Sequence, residues 1–270
     1  MTTWRLLTTS PAHGSWNMAV DEAILEHASH GEVLPTLRLY AWEPACLSIG
    51  HAQPFADVDM ARLQARGWEV VRRMTGGRAI LHTDELTYSV TGPTNEPHLA
   101  GSILESYNRL AAALLAAVHD LSLPVEMKEG KADASGKTNP VCFEVPSTYE
   151  ITVDSKKLIG SAQARRKEGV LQHGSLPLTG ELTRICQVLV FPDEAARETA
   201  MQRLLVRATT VESALGQAIN WETAKQAFVQ AFEAQLGLKF EAGELSESEL
   251  ARAEELVREK YAHPSWTERI

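Results

Sequence analysis

The segment RRMTGGRAILH, residues 72–82, is the most informative stretch of the sequence. A strand-like run leads into Gly76 and Gly77, which predict a tight turn. Two adjacent glycines let the backbone approach a ligand closely, and successive N–H groups there can cradle an anion or a carbonyl oxygen. Arg73 and Arg78 flank the turn and could pair with a phosphate. The alternative that these residues leave open is a plain turn between strands with solvated arginines.

A second segment, KLIGSAQ at residues 157–163, combines a lysine at a strand start with three small residues, Gly160, Ser161 and Ala162. Small residues within a strand mark a place where another group lies close to the backbone. Lys157 could therefore bind a carbonyl oxygen or stabilise a nearby anion. The alternative is an ordinary turn lysine.

Cys142 is a candidate nucleophile. It follows residues 128–140, whose lysines and glycines predict a loop, and it precedes Lys157 by 15 positions. A nearby ammonium group would lower the pKa of the thiol below its free value of about 8.5. The alternative is an incidental thiol. Cys46 and Cys186 lie in an apolar strand and a leucine-rich helix, so we expect both in the core.

Two histidines, His82 and His173, could carry protons in such a site. For both, a hydrogen-bonded structural histidine is the alternative. His27 and His30 lie one helical turn apart but lack a third ligand, and the cysteines form no CxxC pair. The sequence therefore predicts no metal site.

The remaining pattern mixes strands with helices. Helices are predicted at residues 15–30, 58–66, 102–121, 210–219, 221–236 and 246–261; strands are predicted at 37–42, 46–49, 69–74, 86–90, 148–153, 157–163 and 172–178. This mixture predicts an α/β or α+β fold with a mixed sheet flanked by helices. We expect a single domain over residues 1–270, with the core at about 31–245 and a helical segment at 246–270.

Composition excludes several classes of protein. Hydrophobic residues make up 44% and charged residues 23% of the 270 residues, as in ordinary globular proteins. A net charge of −9 argues against sequence-independent nucleic-acid binding, which needs phosphate neutralisation. The longest apolar run, residues 110–118, is far shorter than the roughly 20 residues of a membrane helix. The N-terminus has no signal-peptide pattern. We therefore expect a cytoplasmic protein that binds neither membrane nor nucleic acid.

Two long runs, RRMTGGRAILHTDELTYSV and KKLIGSAQARRKEGVLQHGSL, resemble the catalytic domain shared by lipoate-protein ligases, octanoyltransferases and biotin protein ligases. The shorter motifs NMAVDEAIL, CLSIGHAQ and KYAHPSW are similar to the lipoate-ligase branch, and the resemblance covers about residues 1–266. It implies a mixed-sheet fold of the biotin/lipoate ligase type, with an acyl pocket between the diglycine turn and the strand that starts at Lys157. The residues implied to bind substrate are Arg73, Gly76, Gly77, His82, Gly160, Ser161, Ala162 and His173.

The branches of this family differ in chemistry. Ligases activate a free acid with ATP, whereas transferases take the acyl group from acyl carrier protein through a cysteine thioester. Cys142 and Lys157 resemble the nucleophile and the pKa-lowering lysine of the Gram-positive type of octanoyltransferase. The sequence also ends soon after KYAHPSW, where ligases commonly continue, so we expect no accessory domain. Cys186 is near the cysteine position of the classical octanoyltransferases, but its helical setting argues against that role.

The resemblance therefore implies an enzyme that needs no cofactor. It would move an octanoyl group from octanoyl-acyl carrier protein to a lysine of lipoyl domains or of the glycine-cleavage H protein. The acceptor amine must lose a proton, and His173, His82 and water are open candidates. An ATP-dependent lipoate ligase, an octanoyl amidotransferase between lipoyl-accepting proteins, and an inactive lipoyl-domain binder remain alternatives.

Docking of acidic carrier proteins onto an acidic chain needs local basic groups. The sequence offers two: Lys128, Lys131 and Lys137 in one, and Arg165, Arg166 and Lys167 in the other. Solvated charge runs without a partner are the alternative.

Overall fold

The computed structural model describes residues 2–129 and 149–270. The strands are β1 Thr2–Thr8, β2 Thr36–Tyr40, β3 Cys46–Ile49, β4 Glu69–Arg72, β5 Ile80–His82, β6 Glu85–Pro93, β7 Val125–Glu129, β8 Tyr149–Val153, β9 Lys156–Arg165, β10 Gly169–Pro177 and β11 Leu238–Ala242. The helices are α1 Gly14–Ser29, α2 Met60–Gln64, α3 Ile103–Asp120, α4 Glu194–Arg207, α5 Val211–Leu215, α6 Trp221–Leu236, α7 Glu247–Leu256 and α8 Pro264–Thr267. Short 3₁₀ segments, Phe55–Asp57 and Leu182–Val188, and a π turn, Val257–Tyr261, complete the described elements.

Two sheets organise the described residues. The large sheet has the order β11-β1-β2-β6-β10-β9-β8-β7, and the small sheet has the order β4-β3-β5. In the large sheet β1 is parallel to both β11 and β2, whereas β2, β6, β10, β9, β8 and β7 pair antiparallel in turn. In the small sheet β3 is parallel to β4 and antiparallel to β5. The predicted mixed α/β fold class is confirmed.

Helices cover both faces of the large sheet. Tyr88 on β6 packs against Phe228 and Phe232 of α6. The next residue, Ser89, donates a hydrogen bond to Asp21 of α1 at 2.8 Å. Because successive side chains of a strand point to opposite faces, α6 and α1 lie on opposite sides of the sheet. Helix α1 also packs against β3 and β4, so it bridges the large and small sheets.

Local sequence signals set several element ends. Ser102 and Glu105 form a capping box at the start of α3, as the predicted helix start at residue 102 suggests. Between β8 and β9, Asp154 and Ser155 adopt left-handed φ angles of 49° and 67°. Two such residues in a row are typical of a two-residue hairpin turn, which here joins the two strands predicted at 148–153 and 157–163.

Some predicted elements are wrong in type or extent. Cys186 lies in the 3₁₀ segment Leu182–Val188 and not in a leucine-rich helix, because Arg197 binds the carbonyls of Cys186 and Leu189 and so replaces α-helical bonds. The predicted helix at 210–219 ends at Leu215, where Gly216 takes a left-handed φ of 71°.

Other elements were not predicted. They are β1, β5, β7, β11, α4 and α8. Strand β7 includes the first two residues of the predicted loop at 128–140, whereas residues 130–140 lie outside the described residues. In the described part of the chain, no helix has the length and apolar character needed to cross a membrane.

Candidate active site

A cavity opens between β9 and β10 of the large sheet and the small sheet with its diglycine turn. It leaves about 420 Å³ free of protein atoms, a volume that includes the open space at its mouth. Its lining residues are Met18, Tyr40, Trp42, Ser48, Arg73, Gly77, Ile80, His82, Thr87, Gly160, Ser161, Ala162, His173, Gly174 and Ser175. All the predicted substrate-binding residues except Gly76 therefore come together in one wall.

The diglycine turn is held from inside by Arg73. This side chain is buried, and its Nη1 donates to the carbonyl oxygen of Ser48 at 2.9 Å. Its Nη2 donates to the carbonyl oxygens of Gly76 at 2.9 Å and Arg78 at 2.7 Å. Gly77 has a φ of +91°, which favours glycine. Arg73 is therefore not a solvated arginine: its guanidinium shapes the turn that faces the cavity.

His82 is fixed in the wall by hydrogen bonds at both ring nitrogens. Its Nε2 lies 2.7 Å from Ser48 Oγ, and its Nδ1 lies 2.6 Å from Glu85 Oε1. The ring stacks on Trp42 with centroids 3.9 Å apart. Trp42 Nε1 in turn donates to Thr87 Oγ1 at 2.8 Å. These contacts favour the structural interpretation of His82, as a residue that positions Trp42 and Ser48 along the cavity.

His173 belongs to a second buried network. Its Nε2 lies 2.7 Å from Thr75 Oγ1, and its Nδ1 lies 3.5 Å from Asp21 Oδ2. Asp21 also accepts bonds from Arg38 at 2.8 Å and from Tyr40 at 2.9 Å. Burial opposes ionisation of Asp21, but Arg38 and His173 outweigh it, and the pKa of Asp21 is lowered. Burial lowers the pKa of His173, with Asp21 opposing, so the imidazole is neutral at neutral pH.

Lys157 begins the strand that forms one side of the cavity. It is buried and lies three residues before Gly160 on β9, but it does not line the described cavity. Its carbonyl oxygen accepts a bond from the N–H of Thr209 at 3.0 Å, which ties the strand start to the segment after α4. Cys142 lies outside the described residues, and so does its predicted contact with Lys157.

The other two thiols are in the core, as predicted. Cys46 and Cys186 are both fully buried, and neither lines the cavity. Burial raises the pKa of Cys46, and the carboxylates of Glu69 and Glu85 raise it further. A thiolate is therefore disfavoured at Cys46. Within residues 2–129 and 149–270, no group of three histidine, cysteine or acidic side chains is placed to hold a metal ion.

The predicted basic group at residues 165–167 is largely committed to contacts within the protein. Arg166 pairs with the buried Glu22, and Arg165 donates to Ser106 Oγ at 3.0 Å. Only Lys167 of the three is nearly fully exposed, at 93% for its side chain. The Arg166 side chain nevertheless remains 44% exposed, and docking of carrier proteins at this basic group stays a prediction. The side chains of the other group, at residues 128, 131 and 137, lie outside the described part of the chain.

The sequence interpretation missed several members of the site. Asp21, Thr75 and Glu85 orient the two histidines, and Trp42 and Ser175 line the cavity. The sequence contains a signal for Ser175: it lies two residues after His173 in a predicted strand, so the two side chains share one face.

The two-sheet fold around this cavity is that of the lipoate-ligase catalytic domains. It superposes with a TM-score of 0.83 on one chain from the structure of a bi-partite lipoate protein ligase and its E2 lipoyl domain from Thermoplasma acidophilum, covering 99% of this chain and 97% of that one at 24% identity. Residues 13–233 match the family described as Lipoyl protein ligase A/B catalytic domain, and the chain belongs to that family.

Curated relatives extend the similarity over nearly the whole chain. Octanoyltransferase LipM from Moorella thermoacetica is 42% identical over 99% of this chain and 98% of its own length. Octanoyltransferase LipM from Exiguobacterium sibiricum is 39% identical over 97% of both chains. The predicted family is confirmed, and so is the prediction that the protein is an acyltransferase enzyme.

Proposed function

We propose that this protein acts in the cytoplasm as an octanoyltransferase of lipoyl-cofactor synthesis and that it works through a thioester on Cys142. Octanoyl transfer as such is supported by the near full-length similarity to octanoyltransferases, which confirms the sequence prediction. The proposed donor is octanoyl-acyl carrier protein. The proposed acceptor is a lysine of a lipoyl domain or of the glycine-cleavage H protein.

The observation that carries the proposal is the character of the cavity wall. Its glycines, Ala162 and Ile80 offer apolar contact, and most polar side chains of the wall bond to one another. A saturated acyl chain needs no polar partner along its length, so this wall suits it. The wall ends at Gly160, three residues from Lys157, where we place the reacting carbonyl group.

In the first half-reaction, the ammonium of Lys157 lowers the pKa of the Cys142 thiol, and the thiolate attacks the carbonyl carbon of the donor thioester. The carbonyl π pair moves to oxygen and returns as the carrier thiolate leaves and takes up a proton. Backbone N–H groups near Gly77 or Gly160 stabilise the oxyanion together with Lys157.

In the second half-reaction, the ε-amine of the acceptor lysine attacks the acyl-cysteine, and the cysteine thiolate is released. The amine must lose a proton. Both ring nitrogens of His82 and of His173 already have side-chain partners, which favours solvent as the proton acceptor. The product is an amide-linked octanoyl group on the acceptor.

The decisive experiment mixes the protein with octanoyl-acyl carrier protein and an apo lipoyl domain without ATP. We expect an octanoylated domain by mass spectrometry, and we expect none with Cys142→Ala. Cys186→Ala is the matched control, because that thiol is fully buried away from the cavity. Product only with ATP and free octanoate would indicate a ligase. Product only from an octanoylated protein donor would indicate an amidotransferase, and no product under any condition would indicate a binder.

A further inference from the structure

Ser175 has a buried hydroxyl group without a hydrogen-bond partner in the described structure. The residue is 1% exposed and lines the cavity. The other polar side chains of the described wall each have a partner. The pairs are Tyr40 with Asp21, Trp42 with Thr87, Ser48 with His82, Ser161 with Tyr88, His173 with Thr75, and Arg73 with Ser48. A buried donor without a partner costs free energy and requires an explanation.

The sheet register sets the neighbours of this hydroxyl group on the adjacent strands. Ser175 on β10 pairs with Gly160 on β9 and with Thr87 on β6. Gly160 carries no side chain, and Thr87 Oγ1 is already bonded to Trp42 and Glu85. Lys157 lies three residues before Gly160, roughly 10 Å along the strand. Two polar residues of β10 line the cavity, His173 and Ser175. Of these two, Ser175 pairs with the residue of β9 that lies nearer to Lys157.

We infer that Ser175 Oγ donates a hydrogen bond to the carbonyl oxygen of the bound acyl thioester. The inference rests on the proposed acyl transfer, because a saturated acyl thioester brings one oxygen acceptor into the cavity and the described wall has one polar side chain without a partner. The donor and the acceptor therefore satisfy each other.

The same hydrogen bond gains strength during the reaction. When a nucleophile adds to the carbonyl carbon, the π pair moves to oxygen, and the oxygen becomes an anion. The pair re-forms the carbonyl bond as the carrier thiolate leaves. Hydrogen bonds to a charged acceptor are stronger than those to a neutral one, so Ser175 stabilises the tetrahedral state more than the bound substrate.

The kinetic test compares Ser175→Ala with Ser175→Thr, which keeps the hydroxyl group. Single-turnover acylation by octanoyl-pantetheine is expected to fall about 10²-fold in the alanine variant and to recover most of that loss in the threonine variant. Thr91→Val is the matched control. Thr91 Oγ1 is another buried hydroxyl without a described partner in the same sheet, but it does not line the cavity. Its replacement is expected to leave the rate unchanged.

The binding test needs no turnover, so it remains informative even if Cys142 is not the nucleophile. Titration calorimetry on Cys142→Ala, which lacks the proposed nucleophile, compares octanoyl-pantetheine with S-octyl-pantetheine, a thioether that lacks the carbonyl oxygen. Cys142→Ala should prefer the thioester, and Ser175→Ala in the same background should lose that preference. An equal loss of affinity for both compounds, or wild-type behaviour of Ser175→Ala, would overturn the inference. If the alanine variant does not fold, Ser175→Cys, a weak donor of similar size, carries the same expectation.

Discussion

Replacing Gly50 by alanine is expected to displace the diglycine turn from the cavity wall. A Cβ at Gly50 would lie 2.0 Å from the carbonyl oxygen of Gly77, whereas real Cβ atoms stay at least 3.0 Å from such neighbours. The turn must therefore retreat by about 1 Å. It cannot yield by a rotamer change, because the obstacle is backbone and because Arg73 holds the neighbouring Gly76 carbonyl at 2.9 Å.

The size of the effect follows from this displacement. Overpacking of a buried site typically costs about 1–3 kcal/mol, and each kcal/mol lowers the Tm by roughly 2–4 °C in chains of about this size. We expect a fall in Tm of about 5 °C, measured by circular dichroism. A misplacement of about 1 Å near a reacting group costs about 10²-fold in rate, so kcat/KM for octanoyl transfer should fall by that factor.

Gly76→Ala is the matched control for stability. A Cβ at Gly76 would meet nothing within 4 Å, so its free energy of unfolding should stay within about 0.5 kcal/mol of the wild type. Equal destabilisation of the two variants, or a Gly50→Ala protein with wild-type Tm and rate, would show that the close approach of Gly50 to Gly77 does not hold the wall.

Four further predictions concern the thiol and a buried ion pair. Incubation with octanoyl-acyl carrier protein alone should add one octanoyl group to the wild type, labile to hydroxylamine, and none to Cys142→Ala; equal loading of both by mass spectrometry would exclude the thioester. Lys157→Met should raise the pKa of Cys142, and the pH midpoint of iodoacetamide labelling should shift upward. An unshifted midpoint would show that Lys157 does not act on the Cys142 thiol. Arg38→Met leaves the fully buried Asp21 without its cation. The free energy of unfolding, measured in urea, should fall by about 3–5 kcal/mol, and the double variant with Asp21→Asn should recover part of that loss. Because the pKa of Asp21 is lowered in the fold, its contribution to stability is present above its ordinary value of 3.8 and is lost as the pH falls through the folded-state pKa. Acid unfolding of Asp21→Asn should lack that component, and an identical acid profile would contradict it.

Much of the cavity could be predicted from local patterns. The diglycine turn and the small residues of β9 indicate places where a ligand can approach the backbone closely. In the structure Gly77 and Gly160 both line the cavity. The predicted helix at 221–236 has the same ends as α6. Asn220 caps its start, and Gly237, with a left-handed φ of 60°, terminates it.

The remaining features depend on contacts that are distant in sequence. The sequence alone suggests that Arg73 is a surface cation. In the structure it is buried, because the carbonyl oxygens of Ser48 and Gly76 accept hydrogen bonds from its guanidinium. The pairing of His173 with Asp21 joins residues 152 positions apart. Strand β1 escaped prediction because its stability comes from pairing with β2 and with β11 near the other end of the described chain. No local pattern carries that information.

The pairing of polar side chains in the cavity wall also has a consequence for selectivity between saturated and hydroxylated acyl chains. A hydroxyl group on a bound acyl chain would find Ser48, Thr87 and His173 already engaged with other side chains. An unsatisfied buried hydroxyl costs about 1–3 kcal/mol, which corresponds to roughly 5–150-fold in selectivity. An acyl chain that carries a hydroxyl group would thus bind less tightly than a saturated chain of the same length.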